Sequence, residues 1–322
     1  MSVSMKEIGV YLPEAPRPLA EVEITPPVAP AQLKIFERFY GLKHIAISEI
    51  SLLDMMINAA RDALQKSSVS PQDIALVVHA HTAPETWTHL NSLLPVLCRR
   101  LGLNQAQSFA LHSNNCASSL NGLMLAEPYL ANKPGKYLLL ITADLTFSGI
   151  LQQIPNTTLC GDGATACLLG TSEDDPTLRA LSMQYAGRHA RGSWQTPDEQ
   201  AEFERRYGER LSCAMTLCLE EADLGWDEIR WVFPHNVNLI SWRETAEKLG
   251  LPIAKFYLEQ VPNWGHCFGA DIFINWAKAG ARLRPGDKIM LATVGLGAVF
   301  GAAIFEIPAL NQVTPPQGGA YA

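Results

Sequence analysis

Cys116, in the stretch HSNNCASSLNGLML (112–125), is the residue whose type and surroundings best fit covalent chemistry. No Lys, Arg, Asp or Glu lies between Arg100 and Glu127, so the thiol is expected in apolar surroundings. The pattern predicts that a strand gives way to a helix at this cysteine. A thiolate at a helix N-terminus is stabilised by the helix dipole and by free backbone N–H groups, which favours a nucleophile. The alternative is one more buried, unreactive thiol.

Composition excludes several classes of function. The chain has 322 residues, 48% of them hydrophobic, which is enough for one large domain or two closely packed ones. The net charge is -7 and no basic patch stands out, so nucleic acid is not an expected partner. No apolar run approaches the roughly 20 residues of a membrane helix, and the N-terminus lacks a signal-peptide pattern. We therefore expect a cytoplasmic protein with no membrane partner.

The seven cysteines predict neither disulfides nor a metal site. They form no CxxC pair and no even framework, so we expect reduced thiols. Histidines and cysteines do not cluster at the spacing that zinc ligands require, so no bound metal is expected.

Short apolar strands alternate with helical stretches, which indicates an α/β fold. IALVVHAHT (74–82) and KYLLLITADL (136–145) are predicted to be buried strands. LLDMMINAARDALQKSSV (52–69) has apolar residues at helical spacing.

The order of these elements returns later in the chain. Residues 214–237 repeat a helix, an acidic turn and a buried strand, and PGDKIMLATVGL (285–296) repeats PGKYLLLITADL (134–145). Cys116 and Cys267 hold equivalent places between these anchors. We interpret this as an internal duplication with halves 1–172 and 173–322. The polar stretch 185–210 is predicted to be a surface connection between the halves, or an excursion near the active site.

Five motifs follow one another in order: the nucleophile cysteine, GDGATA (161–166), FPHNVN (233–238), GHCFGAD (265–271) and GLGAVFGAA (295–303). With the duplication, they resemble the thiolase superfamily, and most closely its 3-oxoacyl-ACP synthase III, or ketosynthase III, branch. The likeness covers nearly the whole chain. It implies a thiolase-like five-layer αβαβα fold built from two duplicated halves. It also implies a homodimer, an active site between the halves and no permanently bound cofactor.

The resemblance gives roles to several residues. Cys116 is the acyl-accepting nucleophile. His235 stands where the family has the histidine of an HQAN-like motif, so it is expected to stabilise an enolate oxygen or to move protons. Asn238 matches that motif's last asparagine and is expected to support the site by hydrogen bonding. The backbone N–H groups of Cys116 and Gly297 are expected to form the oxyanion hole, since glycine allows close backbone approach.

His266 departs from the family pattern. Ketosynthases III normally have Asn here, in a GNTSAAS-like segment, whereas this chain has GHCFGAD. The set Cys116, His235 and His266 resembles that of the elongating ketosynthases, which condense by decarboxylation. A histidine at this place could instead be a general base that activates an alcohol, an amine or water. Asp271, at the motif's last serine, either orients a histidine or begins a helix.

Recognition of coenzyme A is in question. Typical ketosynthases III have a DEWIVTRTGI-like stretch whose Trp and Arg hold the adenine end of coenzyme A. The corresponding region, LKIFERFYGLKHI (33–45), has no Trp, and only Arg38 stands near the place of the Arg. Acyl-CoA and acyl-carrier-protein thioesters are both candidate substrates and partners, and the missing Trp favours the carrier protein.

We expect an acyltransferase that loads an acyl group onto Cys116. It would pass that group to the carbon nucleophile of a malonyl or β-ketoacyl thioester, in specialised-metabolite or fatty-acid-like biosynthesis. One alternative is an O- or N-acyltransferase with the same intermediate, which the departure at His266 motivates. The other is a catalytically silent partner subunit of a ketosynthase heterodimer, against which the retained Cys116 and His235 argue.

Overall fold

Strands and helices alternate along the chain in the computed structural model, which describes residues 2–24, 27–83, 93–189 and 195–309. Its strands are β1 (Ser4–Tyr11), β2 (Arg17–Pro18), β3 (His44–Ile45), β4 (Ile74–Ala80), β5 (Gln107–Leu111), β6 (Tyr137–Asp144), β7 (Gln153–Ile154), β8 (Thr158–Leu159), β9 (Gly163–Gly170), β10 (Thr177–Tyr185), β11 (Ile229–Pro234), β12 (Lys288–Gly295) and β13 (Val299–Glu306). Its α-helices are α1 (Pro30–Arg38), α2 (Leu52–Ser67), α3 (Leu93–Leu101), α4 (Ser118–Leu130), α5 (Gly149–Gln152), α6 (Pro197–Ala222), α7 (Leu239–Lys248), α8 (Val261–Trp264) and α9 (Asp271–Ala279). The strands predicted over 74–82 and 136–145 are β4 and β6, and the helix predicted over 52–69 is α2.

The long strands form one nine-stranded sheet in the order β11-β12-β13-β10-β1-β9-β6-β4-β5. In the N-terminal group, β4 and β6 are parallel, while β6, β9 and β1 pair antiparallel. In the C-terminal group, β11 and β12 are parallel, while β12, β13 and β10 pair antiparallel. The two groups have the same order and directions, and they meet where Ser4 of β1 pairs with Thr177 of β10. The division into halves at residue 172 stays a prediction.

Three helical layers pack against the two strand groups. Helices α2 and α3 cover one face of the N-terminal strands, through residues such as Met56 and Leu97. Helices α6 and α7 cover one face of the C-terminal strands, through residues such as Met215 and Trp242. Helices α4 and α9 lie between the groups, where one apolar core takes residues from both groups of strands. The five-layer αβαβα fold is therefore confirmed.

The described part of 185–210 lies mostly on the surface, but from Pro197 onward it is part of helix α6 rather than a linking segment. Helix α6 begins at Pro197, where Thr196 accepts a hydrogen bond from the backbone N–H of Glu199 and the Glu199 side chain bonds back to the Thr196 N–H. Such a capping box starts helices efficiently, and proline is favoured at the first helical position. The charged residues lie on the outer face, while Phe203 and Tyr207 pack against the core beneath.

Within the described ranges, no helix combines the length and the apolar character that crossing a bilayer requires. The cytoplasmic location stays a prediction. All seven cysteines carry free thiols, and Cys213 alone among them is exposed.

Candidate active site

Cys116 lies in a short 3-10 turn, Asn115–Ala117, that leads directly into α4. It is 5% exposed. Its sulfur has two polar neighbours: the Thr82 hydroxyl donates to it at 3.6 Å, and Nε2 of His266 is 3.4 Å away. The cysteine therefore stands at a helix start, as the sequence predicted, with hydrogen-bond donors directed at its sulfur.

His266 and Asp271 form a buried pair beside this sulfur. Nδ1 of His266 is 2.6 Å from Oδ2 of Asp271. The Asp271 carboxylate also accepts the backbone N–H groups of Asn236 at 2.6 Å and Cys267 at 2.8 Å, which fixes its orientation. Burial disfavours the imidazolium, but the Asp271 carboxylate and the Cys116 sulfur outweigh it and raise the pKa of His266 to about 10. The arrangement favours an imidazolium that donates from Nε2 to the Cys116 sulfur.

Asp271 was assigned two alternative roles from the sequence, and its position combines them. It is the first residue of α9, and its carboxylate binds the ring of His266. Its carboxylate does not cap α9, because it accepts from residues that precede the helix.

His235 follows β11 directly, and its ring is held by the backbone of β12. Its Nδ1 accepts the backbone N–H of Val294 at 3.1 Å, so the ring proton of the neutral form is on Nε2. Burial, and then the neighbouring His266, hold the pKa of His235 well below its usual range. The indole N–H of Trp242 donates to the His235 carbonyl at 2.9 Å and fixes the backbone. His235 is thus a neutral imidazole that donates from Nε2.

Tyr207, on α6, is a site residue that the sequence did not predict. Its hydroxyl is 2.9 Å from Nε2 of His235. The polar stretch that contains it was also interpreted as an excursion near the active site, but no residue within that stretch was singled out. The available signal was its spacing from Phe203, since residues four apart share one face of a helix.

The three predicted side chains open onto one cavity of about 460 Å³. Cys116, His235 and His266 line it, together with Tyr207 and Asn238. Apart from the histidines, its charged lining residues among those described are Glu204 and Glu244, both exposed; no Lys or Arg lines it. A larger, mainly apolar cavity of about 650 Å³ lies alongside and shares Asn156, but none of the three site residues lines it. The smaller cavity is therefore the candidate active site.

Two family models match the chain, one described as 3-oxoacyl-[acyl-carrier-protein] synthase III over residues 112–187 and one as the C-terminal part of the same enzyme over 219–307. Together they cover just over half of the chain and include Cys116, His235 and His266. The chain belongs to the ketosynthase III family.

Relatives and solved structures agree with this assignment. A ketosynthase III relative, beta-ketoacyl-[acyl-carrier-protein] synthase III of Phocaeicola vulgatus, is 28% identical over 269 residues, which are 77% of this chain and 79% of the relative. The structure of 3-oxoacyl-[acyl-carrier-protein] synthase III from Aquifex aeolicus has a TM-score of 0.79 at 23% identity, and the match covers 94% of this chain and 99% of that one. ChlB3, described as an acyltransferase, has a TM-score of 0.78 at 19% identity over 96% of this chain and 98% of its own. At these identities, the two structures show the shared fold.

The supporting residues of this ketosynthase III lie around the same cavity. Asn238 lines it and has two structural bonds: its side chain accepts the Ser241 N–H at 2.8 Å and donates to the Thr157 carbonyl at 3.1 Å. Gly297 lies in the turn between β12 and β13, with a φ of 126° that favours glycine. The Asn115 side chain donates to the carbonyl of Leu296, so this turn is tied to the residue beside Cys116. The oxyanion hole formed by the N–H groups of Cys116 and Gly297 stays a prediction.

Within the part of the chain that the structure describes, no group of three or more His, Cys, Asp or Glu side chains is arranged to hold a metal ion.

Proposed function

We propose that this ketosynthase III carries an acyl group on Cys116 and passes it to the carbon nucleophile of a malonyl or β-ketoacyl thioester. One observation carries the proposal: Cys116, His266 and Asp271 form a hydrogen-bonded series in the cavity that His235 also lines. This series resembles the nucleophile, base and orienting carboxylate that acyl transfer uses on unrelated folds.

Loading would begin with attack of the Cys116 thiolate on the carbonyl carbon of a donor thioester. The backbone N–H groups of Cys116 and Gly297 would stabilise the resulting oxyanion. As the donor's carbon–sulfur bond breaks, the leaving thiolate would take the proton from Nε2 of His266. The acyl group is then on Cys116, and neutral His266 keeps its Nδ1–H on Asp271.

Transfer would proceed through an enolate. Loss of carbon dioxide from a malonyl thioester leaves its electron pair on the enolate, whose carbon attacks the acyl carbon on Cys116. The new carbon–carbon bond forms as the Cys116 thiolate leaves. The enolate oxygen needs a hydrogen-bond donor, and the hydrogen-bonded pair of neutral His235 and Tyr207 supports that need on its side of the cavity.

The donors we propose are acyl-CoA and acyl-carrier-protein thioesters, which require no permanently bound cofactor. The relative from Phocaeicola vulgatus has an acyl carrier protein in its name. The histidine at 266 and the missing Trp near Arg38 favour a specialised-metabolite or fatty-acid-like pathway over the initiation of ordinary fatty-acid synthesis.

Mass spectrometry of the intact protein tests the loading step. Wild type and Cys116→Ala would be incubated with a panel of acyl-CoA and acyl-carrier thioesters. We expect a mass gain equal to the acyl group in the wild type alone. If no donor acylates Cys116, the proposal is wrong and a silent partner subunit is favoured.

Release of carbon dioxide from a malonyl thioester tests the transfer step. We expect release by the acylated wild type and a large loss in His235→Ala and His266→Ala. Active acyl transfer without any release of carbon dioxide would sink the decarboxylative version.

An O- or N-acyltransferase is the second candidate, and the His266–Asp271 pair favours it. Once the donor thiol has taken its proton, Nε2 of His266 is a free base beside the acyl group, able to accept the proton of an alcohol or amine. The likeness to ChlB3, described as an acyltransferase, is compatible with it. Product masses from a panel of alcohols and amines decide: without any ester or amide product, this candidate is dropped.

We also propose that two copies pair along β5. This strand is at the end of the sheet, and Phe109 on it is 40% exposed. An edge strand presents unpaired backbone groups that favour pairing with another chain. Analytical ultracentrifugation should find a dimer of the wild type, weakened in Phe109→Lys; a monomeric wild type would contradict this assembly.

A further inference from the structure

Tyr207 is fixed where α6 crosses the candidate site. Its ring packs edge-on against Phe203, with centroids 5.8 Å apart, and against Phe300 at 5.9 Å. Its hydroxyl reaches Nε2 of His235 at 2.9 Å, and the residue lines the cavity. The ring is therefore held on two sides while its polar end is directed into the site.

The direction of the hydrogen bond follows from the backbone of β12. Nδ1 of His235 accepts the Val294 N–H, so the neutral ring has its proton on Nε2. That N–H must donate, and the Tyr207 oxygen must accept. The phenol keeps its own proton, because burial, and then the electrostatic effect of Cys116, raise the pKa of Tyr207 far above its usual range.

The proton of Tyr207 therefore points away from His235. Among the described residues, the Tyr207 hydroxyl has one hydrogen-bond partner, which is His235. Its O–H is left for a ligand in the cavity, and a hydroxyl that already accepts a hydrogen bond is a stronger donor. The Nε2–H of His235, in contrast, is already occupied.

We propose that Tyr207, rather than His235, donates the hydrogen bond to the enolate oxygen of the second thioester. His235 is then a positioning residue, which orients and polarises the phenol. The inference rests on the proposed acyl transfer from Cys116 to carbon and identifies the residue that recognises the acceptor. In the step itself, the carbon–carboxylate bond breaks, carbon dioxide leaves and the enolate oxygen accepts the Tyr207 O–H. No proton is transferred.

The test separates loading from transfer. Wild type, Tyr207→Phe, His235→Ala and the double variant would be acylated at Cys116 and followed by intact mass. Release of carbon dioxide from a malonyl thioester would then be measured in a single turnover. Tyr257→Phe is the matched control, because Tyr257 is also wedged between aromatic rings but lies outside the cavity.

We expect Tyr207→Phe to load within about twofold of wild type. Its carbon dioxide release should fall roughly 100-fold, as when one oxyanion donor is removed. The double variant should lose little more than either single variant, because both residues act through one donor. The Tyr257 variant should stay within about threefold of wild type.

Release at or above the wild-type rate in Tyr207→Phe would overturn the inference while leaving the proposed function intact. A wild type that never loads Cys116 would overturn both. Site-specific 3,5-difluorotyrosine at position 207 keeps the packing if the Phe variant does not fold. Its more acidic phenol is a stronger hydrogen-bond donor, so carbon dioxide release at pH 7 should rise above the wild-type rate, and an unchanged rate would contradict the assignment.

Discussion

Oδ2 of Asp271 lies 2.6 Å from Nδ1 of His266, and both side chains are buried. The other ring nitrogen of His266 is 3.4 Å from the Cys116 sulfur. A carboxylate outside the cavity lining thereby controls the protonation of the histidine that contacts the nucleophile.

Asp271→Asn should slow the alkylation of Cys116 by iodoacetamide at pH 7 by roughly tenfold or more. The neutral amide no longer favours the imidazolium, so the pKa of His266 falls and less thiolate is paired with it. Peptide mapping by mass spectrometry gives the rate, with the exposed Cys213 as the internal control. An unchanged Cys116 rate in a folded variant would contradict the role of Asp271.

Glu204→Gln and Glu244→Gln should each lower the KM for an acyl-CoA donor by about two- to fivefold at low salt. Both carboxylates line the cavity, and no Lys or Arg among the described residues lines it, so they repel the phosphates of coenzyme A. The gain should disappear at high salt, which screens the repulsion, and with a neutral N-acetylcysteamine thioester, which carries no phosphate, because each substitution removes only a charge. Glu247→Gln is the control, because Glu247 is on α7 like Glu244 but does not line the cavity. An equal gain with the neutral thioester would show that charge is not the cause.

Asp144 should make the folded state less stable as the pH rises. Burial outweighs the hydrogen bonds from the Thr82 and Ala83 N–H groups and raises the pKa of Asp144 to about 7, against 3.8 ordinarily. The folded state therefore binds the extra proton, and its stabilisation is present below pH 4 and lost as the pH passes 7. Relative to Asp144→Asn, the wild type should lose about 4 kcal/mol of unfolding free energy between pH 4 and pH 8.

Chemical denaturation across this pH range measures the difference in unfolding free energy between Asp144→Asn and wild type. Asp54→Asn is the control. The Ser51 hydroxyl holds the pKa of that exposed carboxyl below its usual range, so the contribution of Asp54 to stability should change with pH in the opposite direction. A difference that stays constant with pH would contradict the raised pKa of Asp144.

Gly295→Ala should destabilise the fold by about 3 kcal/mol and slow acylation of Cys116. A Cβ at position 295 would lie 1.9 Å from the Asn114 carbonyl oxygen, so the turn that carries Cys116 must shift. Gly280→Ala is the control, because a Cβ there meets nothing within 4 Å. Thermal unfolding and intact mass measure both effects, and equal stability of the two variants would contradict this packing.

The sequence was sufficient for features that depend on local pattern or on motif order. Continuous apolar runs predicted β4 and β6 because both faces of these strands are buried, and helical spacing predicted α2. The ordered motifs predicted the family and brought Cys116, His235 and His266 to one place. Asp271 was recognised only as a possible support, because its bond to His266 depends on how α9 begins.

Tertiary structure alone determined the details that decide the chemistry. The tautomer of His235 follows from an N–H of β12, a strand distant in sequence that pairs beside β11. Tyr207 joins the site only because α6 packs over β10 and β13, and a polar sequence stretch does not reveal which few residues face inward. The protonation of His266 likewise depends on a buried carboxylate at the start of α9 and on a sulfur in the turn that leads into α4. Sequence specifies which groups are present; their proton positions depend on non-local packing and burial.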